Sequence, residues 1–268
     1  MKMNDTLLDV IKIDLDVNAV PALMGEPGIG KSSIIEDLAK SLNTKAFTLA
    51  CNQLADKADL TGGRLVTSDD GATWQQVFYP HEVIQSSIKY AIENPRERPI
   101  LFLDEINRST SDVTSAALSL PTLRMIGSSR LPENLRIVVA GNNKGNVTML
   151  DEASLSRFSI YNVEPDAETL ISVLGADINP YVKAVLVKHP ELVFAKGASV
   201  ALGADGDDDD ATVSVADVFD SGEEMLQLTT PRTIDSISRW LNAVDPAKLQ
   251  EYFTTAVQVD GRDLTQLE

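Results

Sequence analysis

Cysteine, positive charge and long apolar runs are all in short supply in this chain of 268 residues. Cys51 is the single cysteine, so no internal disulfide can form, which fits a reducing compartment. Lys and Arg number 23 against 40 Asp and Glu, a formal net charge of −17. A surface that grips nucleic acid along its whole extent is therefore not expected, although a local basic patch or pore remains compatible with that balance. No apolar stretch is long enough for a membrane span. The opening Met1-Lys2-Met3-Asn4-Asp5 leads into mixed apolar and acidic residues rather than the clean apolar run of a signal peptide. A cytoplasmic setting is expected, in a bacterium or a phage-infected host cell. No internal repeat stands out. Hydrophobic residues make up 43%, enough for a packed core, and the length suits one large domain or a domain with a smaller companion.

The most informative stretch runs through Gly25, Glu26, Pro27, Gly28, Ile29, Gly30, Lys31, Ser32 and Ser33. From Gly25 to Ser32 it spells G-x-x-x-x-G-K-S, the phosphate-binding loop of nucleoside triphosphatases. Glycines let the backbone curl round a phosphate with no Cβ in the way. Successive N–H groups then face inward as an anion nest at the start of the next helix. Lys31 supplies a point charge for the β- and γ-phosphates, and Ser32 offers its hydroxyl to Mg²⁺. The apolar run Val20-Pro21-Ala22-Leu23-Met24 suits a buried strand before the loop. Ile34, Ile35, Leu38, Ala39 and Leu42 follow helical spacing after it.

Further strands are expected at Lys45–Cys51, Ile100–Leu103, Arg136–Gly141 and Ser159–Val163, and helices near residues 6–13, 82–93, 113–120 and 150–158. Ile84, Ile88, Ala91 and Ile92 are expected to share the buried face of the second of these helices. Residues 64–78 read as a hairpin, with Asp70-Gly71 favouring its reversal. Residues 121–132 read as irregular. Strands alternating with helices over roughly the first 165 residues predict a three-layer α/β/α domain on a parallel five-stranded sheet. After it the periodicity turns helical, at Leu170/Ile171/Leu174, residues 181–187, Ile234/Ile237/Trp240/Leu241/Val244 and Leu249/Tyr252/Phe253/Ala256/Val257. The division expected is a nucleotide-binding domain over 1–165 and a small helical lid domain over 166–268. An acidic insertion near 197–224 interrupts the lid. Its run Asp205-Gly206-Asp207-Asp208-Asp209-Asp210 lacks the glycine placement of a calcium-binding loop and reads as a solvated segment.

The buried run Ile100-Leu101-Phe102-Leu103 ends in Asp104-Glu105. Two carboxylates at the end of a core strand form a Walker B arrangement. Asp104 would hold Mg²⁺ through water and Glu105 would polarise the attacking water.

Leu103-Asp104-Glu105-Ile106-Asn107-Arg108 resembles the extended Walker B sequence, D-E-I-N-R, of the MoxR-like group of AAA+ ATPases, a resemblance that covers nearly the whole chain. That likeness implies further roles. Asn142, closing Val138-Val139-Ala140-Gly141-Asn142, is similar to the sensor 1 residue beside the γ-phosphate, with Asn143 as the alternative. Arg157, in Leu155-Ser156-Arg157-Phe158, resembles the arginine that reaches a neighbouring subunit's nucleotide. Arg232, in Thr230-Pro231-Arg232, resembles sensor 2 over the γ-phosphate of its own subunit. Arg108 suits either a subunit interface or a local salt bridge. An arginine acting in trans implies a homo-oligomer, by resemblance a hexameric ring. ATP is the nucleotide the resemblance implies, with Mg²⁺. The guanine-selecting N-K-x-D is lacking, since Asn142-Asn143-Lys144-Gly145-Asn146 has no aspartate in place.

Two segments are candidates for gripping a partner. Residues 62–80 carry Trp74, Phe78 and Tyr79, and residues 121–132 carry Arg124, Met125 and Arg130 with no acidic residue until Glu133. For Trp74 and Phe78 a core position is the better expectation, because large aromatics dominate burial. Three functions fit: an ATP-driven chaperone for a protein partner, which for MoxR-like ATPases is often a von Willebrand factor A-domain protein; a nucleic-acid motor or loader; and an assembly switch with little turnover. Glu105 weighs against the third and the net charge against the second, while Arg124, Arg130, Arg136 and Lys144 keep the second open.

Overall fold

In a computed structural model, the structure describes residues 2, 4–67, 73–143, 156–194, 229–254, 256–259 and 262–265, with side chains to residue 251. The chain divides into two compact units, Met1–Glu164 and Pro165–Glu268.

The first unit opens with α1 (Asp5–Asp16), capped by the Asn4 side chain on the Leu7 N–H. Then follow β1 (Pro21–Met24), α2 (Lys31–Ser41), β2 (Ala46–Ala50), α3 (Lys57–Thr61), β3 (Gly63–Thr67), β4 (Trp74–Phe78), α4 (Glu82–Glu93), β5 (Ile100–Asp104) and α5 (Ser111–Leu123). A short pair, β6 (Met125–Ile126) and β7 (Ser129–Arg130), precedes β8 (Arg136–Gly141) and β9 (Ser159–Asn162). The sheet is parallel throughout, in the order β2-β5-β8-β1-β9. This is the α/β P-loop architecture expected. Its central strands are buried on both faces: Ile100, Leu101, Phe102, Leu103 and Val138 are all at 3% exposure or less. Such strands read as unbroken apolar runs rather than as alternations. Burial of Cys51 pushes its thiol up to about 12, so it stays protonated as a packing group.

The β3–β4 hairpin forms as expected, with Thr67 opposite Trp74 and Gly63 opposite Phe78. Its aromatic expectation fails at Trp74, which is 70% exposed. The two-stranded ribbon is separate from the five-stranded sheet, and residues 64–67 and 74–76 are exposed. Phe78 is half-buried and packs where a Cβ on Gly127 would sit. Ile92 is likewise exposed, lying roughly 80° round the helix from Ile84 and off the core face.

Residues 121–132 are more regular than expected. Helix α5 continues through Pro121 to Leu123, since a proline in the last turn forfeits a single backbone bond and buried Leu118 and Leu120 hold that turn in place. Arg124 closes the helix at φ 50°, and the β6–β7 pair follows.

The second unit contains α6 (Ala167–Leu174), α7 (Pro180–Lys188), α8 (Pro231–Ala243) and α9 (Pro246–Thr254). Ala167, Ile178, Leu186, Val193 and Ile234 form its core. The N–H of buried Asn179 donates to Oγ of buried Ser238 and its amide to Oδ1 of exposed Asn242, tying α7 to α8. Ile237 and Trp240 are exposed, against their expected place in the helical stripe. Ala256 and Val257 do not continue a helix: they lie in β10 (Ala256–Val259), which pairs with β11 (Arg262–Thr265). Val259 opposes Arg262 in that antiparallel pair. The expected helix over 150–158, for the most part, and the acidic run lie outside the described residues.

Candidate nucleotide-binding site

The loop from Gly25 to Gly30 joins the carboxyl end of β1 to the first turn of α2, so the helix's free N–H groups face whatever the loop encloses. Gly28 and Gly30 take φ of 78° and 101°, a region that side-chain-bearing residues avoid. A Cβ on Gly25 would lie 2.7 Å from the Val163 carbonyl oxygen, so glycine is needed there for contact rather than for φ. Glu26, Pro27 and Ile29 complete the loop, Ile29 being buried, and Ser33 is exposed on α2.

Lys31 is 7% exposed, and its ammonium donates to the carbonyls of Gly25 and Glu26, both at 2.9 Å, and to Asn142 Oδ1 at 3.1 Å. Three acceptors match the three hydrogens of an ammonium group. Burial lowers its pKa to about 8, partly offset by the carboxylates of Asp104, Glu105 and Glu26. The Ser32 hydroxyl donates to Asp104 Oδ2 at 2.6 Å. That contact unites the end of β5 with the start of α2. It brings together a hydroxyl and a carboxylate oxygen, groups that would fit Mg²⁺, which keeps several waters and takes few protein oxygens.

Glu105 follows at φ 51°, an uncommon conformation for a residue with a side chain, and turns the chain off the end of β5. Its carboxylate is 3.1 Å from the Arg108 guanidinium. Of the two expectations for Arg108, the local salt bridge is the one observed. Asn142 is 3% exposed and on Lys31, whereas Asn143 is exposed.

Arg157 lies just before β9 in the first unit and is exposed. Arg232 occupies the second position of α8, after Thr230, whose hydroxyl caps that helix, and it too is exposed. Lys31, Ser32, Asp104, Glu105 and Asn142 thus collect at the carboxyl ends of β1, β5 and β8. Such strand ends are where ligands settle in open parallel sheets.

Asn107 received no role from sequence. It is 3% exposed, and its side-chain amide donates to the Asn142 carbonyl at 2.8 Å while its Oδ1 accepts from the Asn142 N–H at 2.9 Å. A buried amide three residues beyond a Walker B aspartate must find partners, and that was the available signal. The basic residues separate. Arg124 donates to the carbonyls of Pro132 and Leu135, and Arg136 to those of Leu15 and Glu133. Both are structural, while Arg130 is exposed and Lys144 lies outside the described residues.

A family model described as AAA domain (dynein-related subfamily) matches residues 22–158, just over half of the chain. The chain belongs to that family. The Lon protease of Escherichia coli strain K12 is 27% identical over 116 residues, covering 42% of this chain and 13% of that protein. This AAA chain therefore spans a small part of such relatives. Among solved structures, a RuvB variant from Thermotoga maritima overlaps at 18% identity and a TM-score of 0.43, over 69% of this chain and 57% of that one. A protein described as a candidate ATPase from Cytophaga hutchinsonii does so at 19% and 0.44, over 63% and 49%.

Proposed function

We propose that the chain is an ATP-hydrolysing subunit of a ring that remodels a protein partner. The observation that carries the hydrolytic part is the meeting of Lys31, Ser32, Asp104, Glu105 and Asn142 at one end of the sheet. Phosphoryl transfer needs positioning and charge neutralisation more than covalent chemistry, and this set supplies both. The loop's N–H groups and Lys31 hold the β- and γ-phosphates. To do so the ammonium trades a loop carbonyl for phosphate oxygen. Ser32 and Asp104 would hold Mg²⁺, whose charge would offset that of the phosphates. Glu105 orients water for attack in line with the leaving oxygen, and Asn142 fixes the terminal phosphate and that water. Arg157 reaches a neighbour's site and Arg232 its own, which makes the complete site a property of the oligomer, a hexamer by resemblance.

The MoxR-like reading rests on Asp104-Glu105-Ile106-Asn107-Arg108. A protein partner, such as a von Willebrand factor A-domain protein, is favoured over nucleic acid because two of the four cations available for a basic pore, Arg124 and Arg136, are used internally. The exposed Trp74 places an aromatic at the outer end of the β3–β4 hairpin, where a partner can reach it.

Phosphate release by the assembled protein tests the reading. ATP should turn over in the unmodified protein, and Glu105→Gln should bind ATP while losing at least about a hundredfold in rate. A Glu105→Gln protein as active as the parent overturns the hydrolytic assignment. Stimulation by single-stranded or duplex DNA that falls steeply with salt overturns the choice of a protein partner.

A further inference from the structure

Strand β5 stops pairing with β8 at Leu103 opposite Val139, yet β8 runs on to Gly141, and Asn142 lies beyond it. Glu105, at φ 51°, has already turned the β5 chain away. Two contacts from the turn after Glu105 reach back across that gap. The Ile106 N–H donates to the Ala140 carbonyl at 2.9 Å. Asn107 then closes a two-bond fork on Asn142, accepting from its N–H and donating to its carbonyl. A side-chain amide has the donor and acceptor of a peptide group, so Asn107 supplies the rung that the departed strand no longer can. The approach is tight: a Cβ on Gly141 would lie 2.8 Å from Asn107 Oδ1, so the strand must carry glycine there for the fork to close. On the far side of Asn142, its Oδ1 meets Lys31.

We propose that Asn107 is a positioning residue for phosphoryl transfer, fixing the backbone of Asn142 so that its side chain meets Lys31 and the terminal phosphate. This rests on the reading of Asn142 as a phosphate- and water-contacting group. Both ends of the Asn107 side-chain amide are engaged by the Asn142 backbone. Asn107 acts through Asn142 alone, by holding that residue's backbone beyond the end of β8. Misplacing a catalytic group by an ångström costs up to roughly a hundredfold in rate.

The test is a double-mutant cycle in the full chain, with Asn107→Ala, Asn142→Ala and the pair together, read as kcat, KM for ATP and ADP affinity. Asn107→Leu, which fills the space without the fork, is carried in parallel in case alanine fails to fold. Asn107→Ala or Asn107→Leu should lower kcat roughly ten- to hundredfold and leave ADP affinity within about threefold. On top of Asn142→Ala either should cost less than about twofold more, because the route through Asn142 is already cut. Losses that multiply in the double variant, or an unchanged kcat in the folded single variants, overturn the proposal alone. A silent Asn142→Ala overturns the reading of Asn142 and the proposal with it.

Discussion

Arg108 holds the carboxylate of Glu105 at 3.1 Å across a single turn, on the side of the site open to solvent. In the proposed mechanism Glu105 must face water, so this pair competes with that orientation. The partners are 44% and 25% exposed, and a pair of that kind contributes about 1 kcal/mol at most. Arg108→Ala should therefore raise basal turnover, by no more than about fivefold. Steady-state phosphate release measures it. A fall to the level of Glu105→Gln would instead mean that the guanidinium acts in the reaction.

In the proposed mechanism Lys31 should make nucleotide binding pH-dependent. Burial has brought its pKa from 10.5 to about 8, with Asp104, Glu105 and Glu26 opposing the shift and Arg108 adding to it. Between those two values the unfolded chain carries the extra proton, so the stability of the nucleotide-free protein gains from this group as pH rises through the window. Nucleotide binding has the opposite sign, because the phosphates favour the charged lysine. Affinity should decline above pH 8, and at pH 8.5 binding should take up about three quarters of a proton. Calorimetry in two buffers of different ionisation enthalpy reads that uptake directly. Proton release on binding would contradict the assignment.

Trp74 and Phe102 should behave oppositely when cut to alanine. Trp74 is 70% exposed at the end of a two-stranded ribbon, whereas Phe102 is wholly buried in the central sheet. Trp74→Ala should change stability by less than about 0.5 kcal/mol and Phe102→Ala should cost about 3–5 kcal/mol. Denaturant midpoints compare them. A large loss at Trp74 would mean that assembly covers the hairpin.

Those two residues also mark what could be read beforehand. The run Ile100-Leu101-Phe102-Leu103 is buried on both faces, so its position follows from composition alone, and Asp104 and Glu105 follow from its end. The phosphate loop is equally local, since glycine, lysine and serine act at fixed spacing. Trp74 could not be placed that way, because burial of an aromatic depends on whether another layer covers its strand. Arg124 and Arg136 looked like free charge, but they donate to carbonyls, 8 and 11 residues on for Arg124 and as far as 121 residues back for Arg136. Asn107 is the same case within the site. Its type and its turn were visible, but its partner sits 35 residues further on, and only the register of β5 against β8 brings them together.

Arg157 can be tested with two inactive proteins. Arg157→Ala should bind ATP with nearly normal affinity and lose turnover by a factor on the order of a thousand or more, as for an arginine that neutralises charge in the transition state. Glu105→Gln should be inactive for a different reason, lacking the group that orients water. If Arg157 serves its neighbour, a mixed ring contains interfaces where an intact Glu105 on one subunit faces an intact Arg157 on the next. Mixing the two variants should then restore turnover, rising and falling with their ratio and peaking near equal amounts. If Arg157 serves its own subunit, or only packs the loop before β9, no interface in the mixture is complete and the mixture stays as inactive as its parts. Equal loss of ATP binding and turnover in Arg157→Ala alone would instead remove the finger role, because a group that meets only the transition state cannot lower ground-state affinity in step with rate.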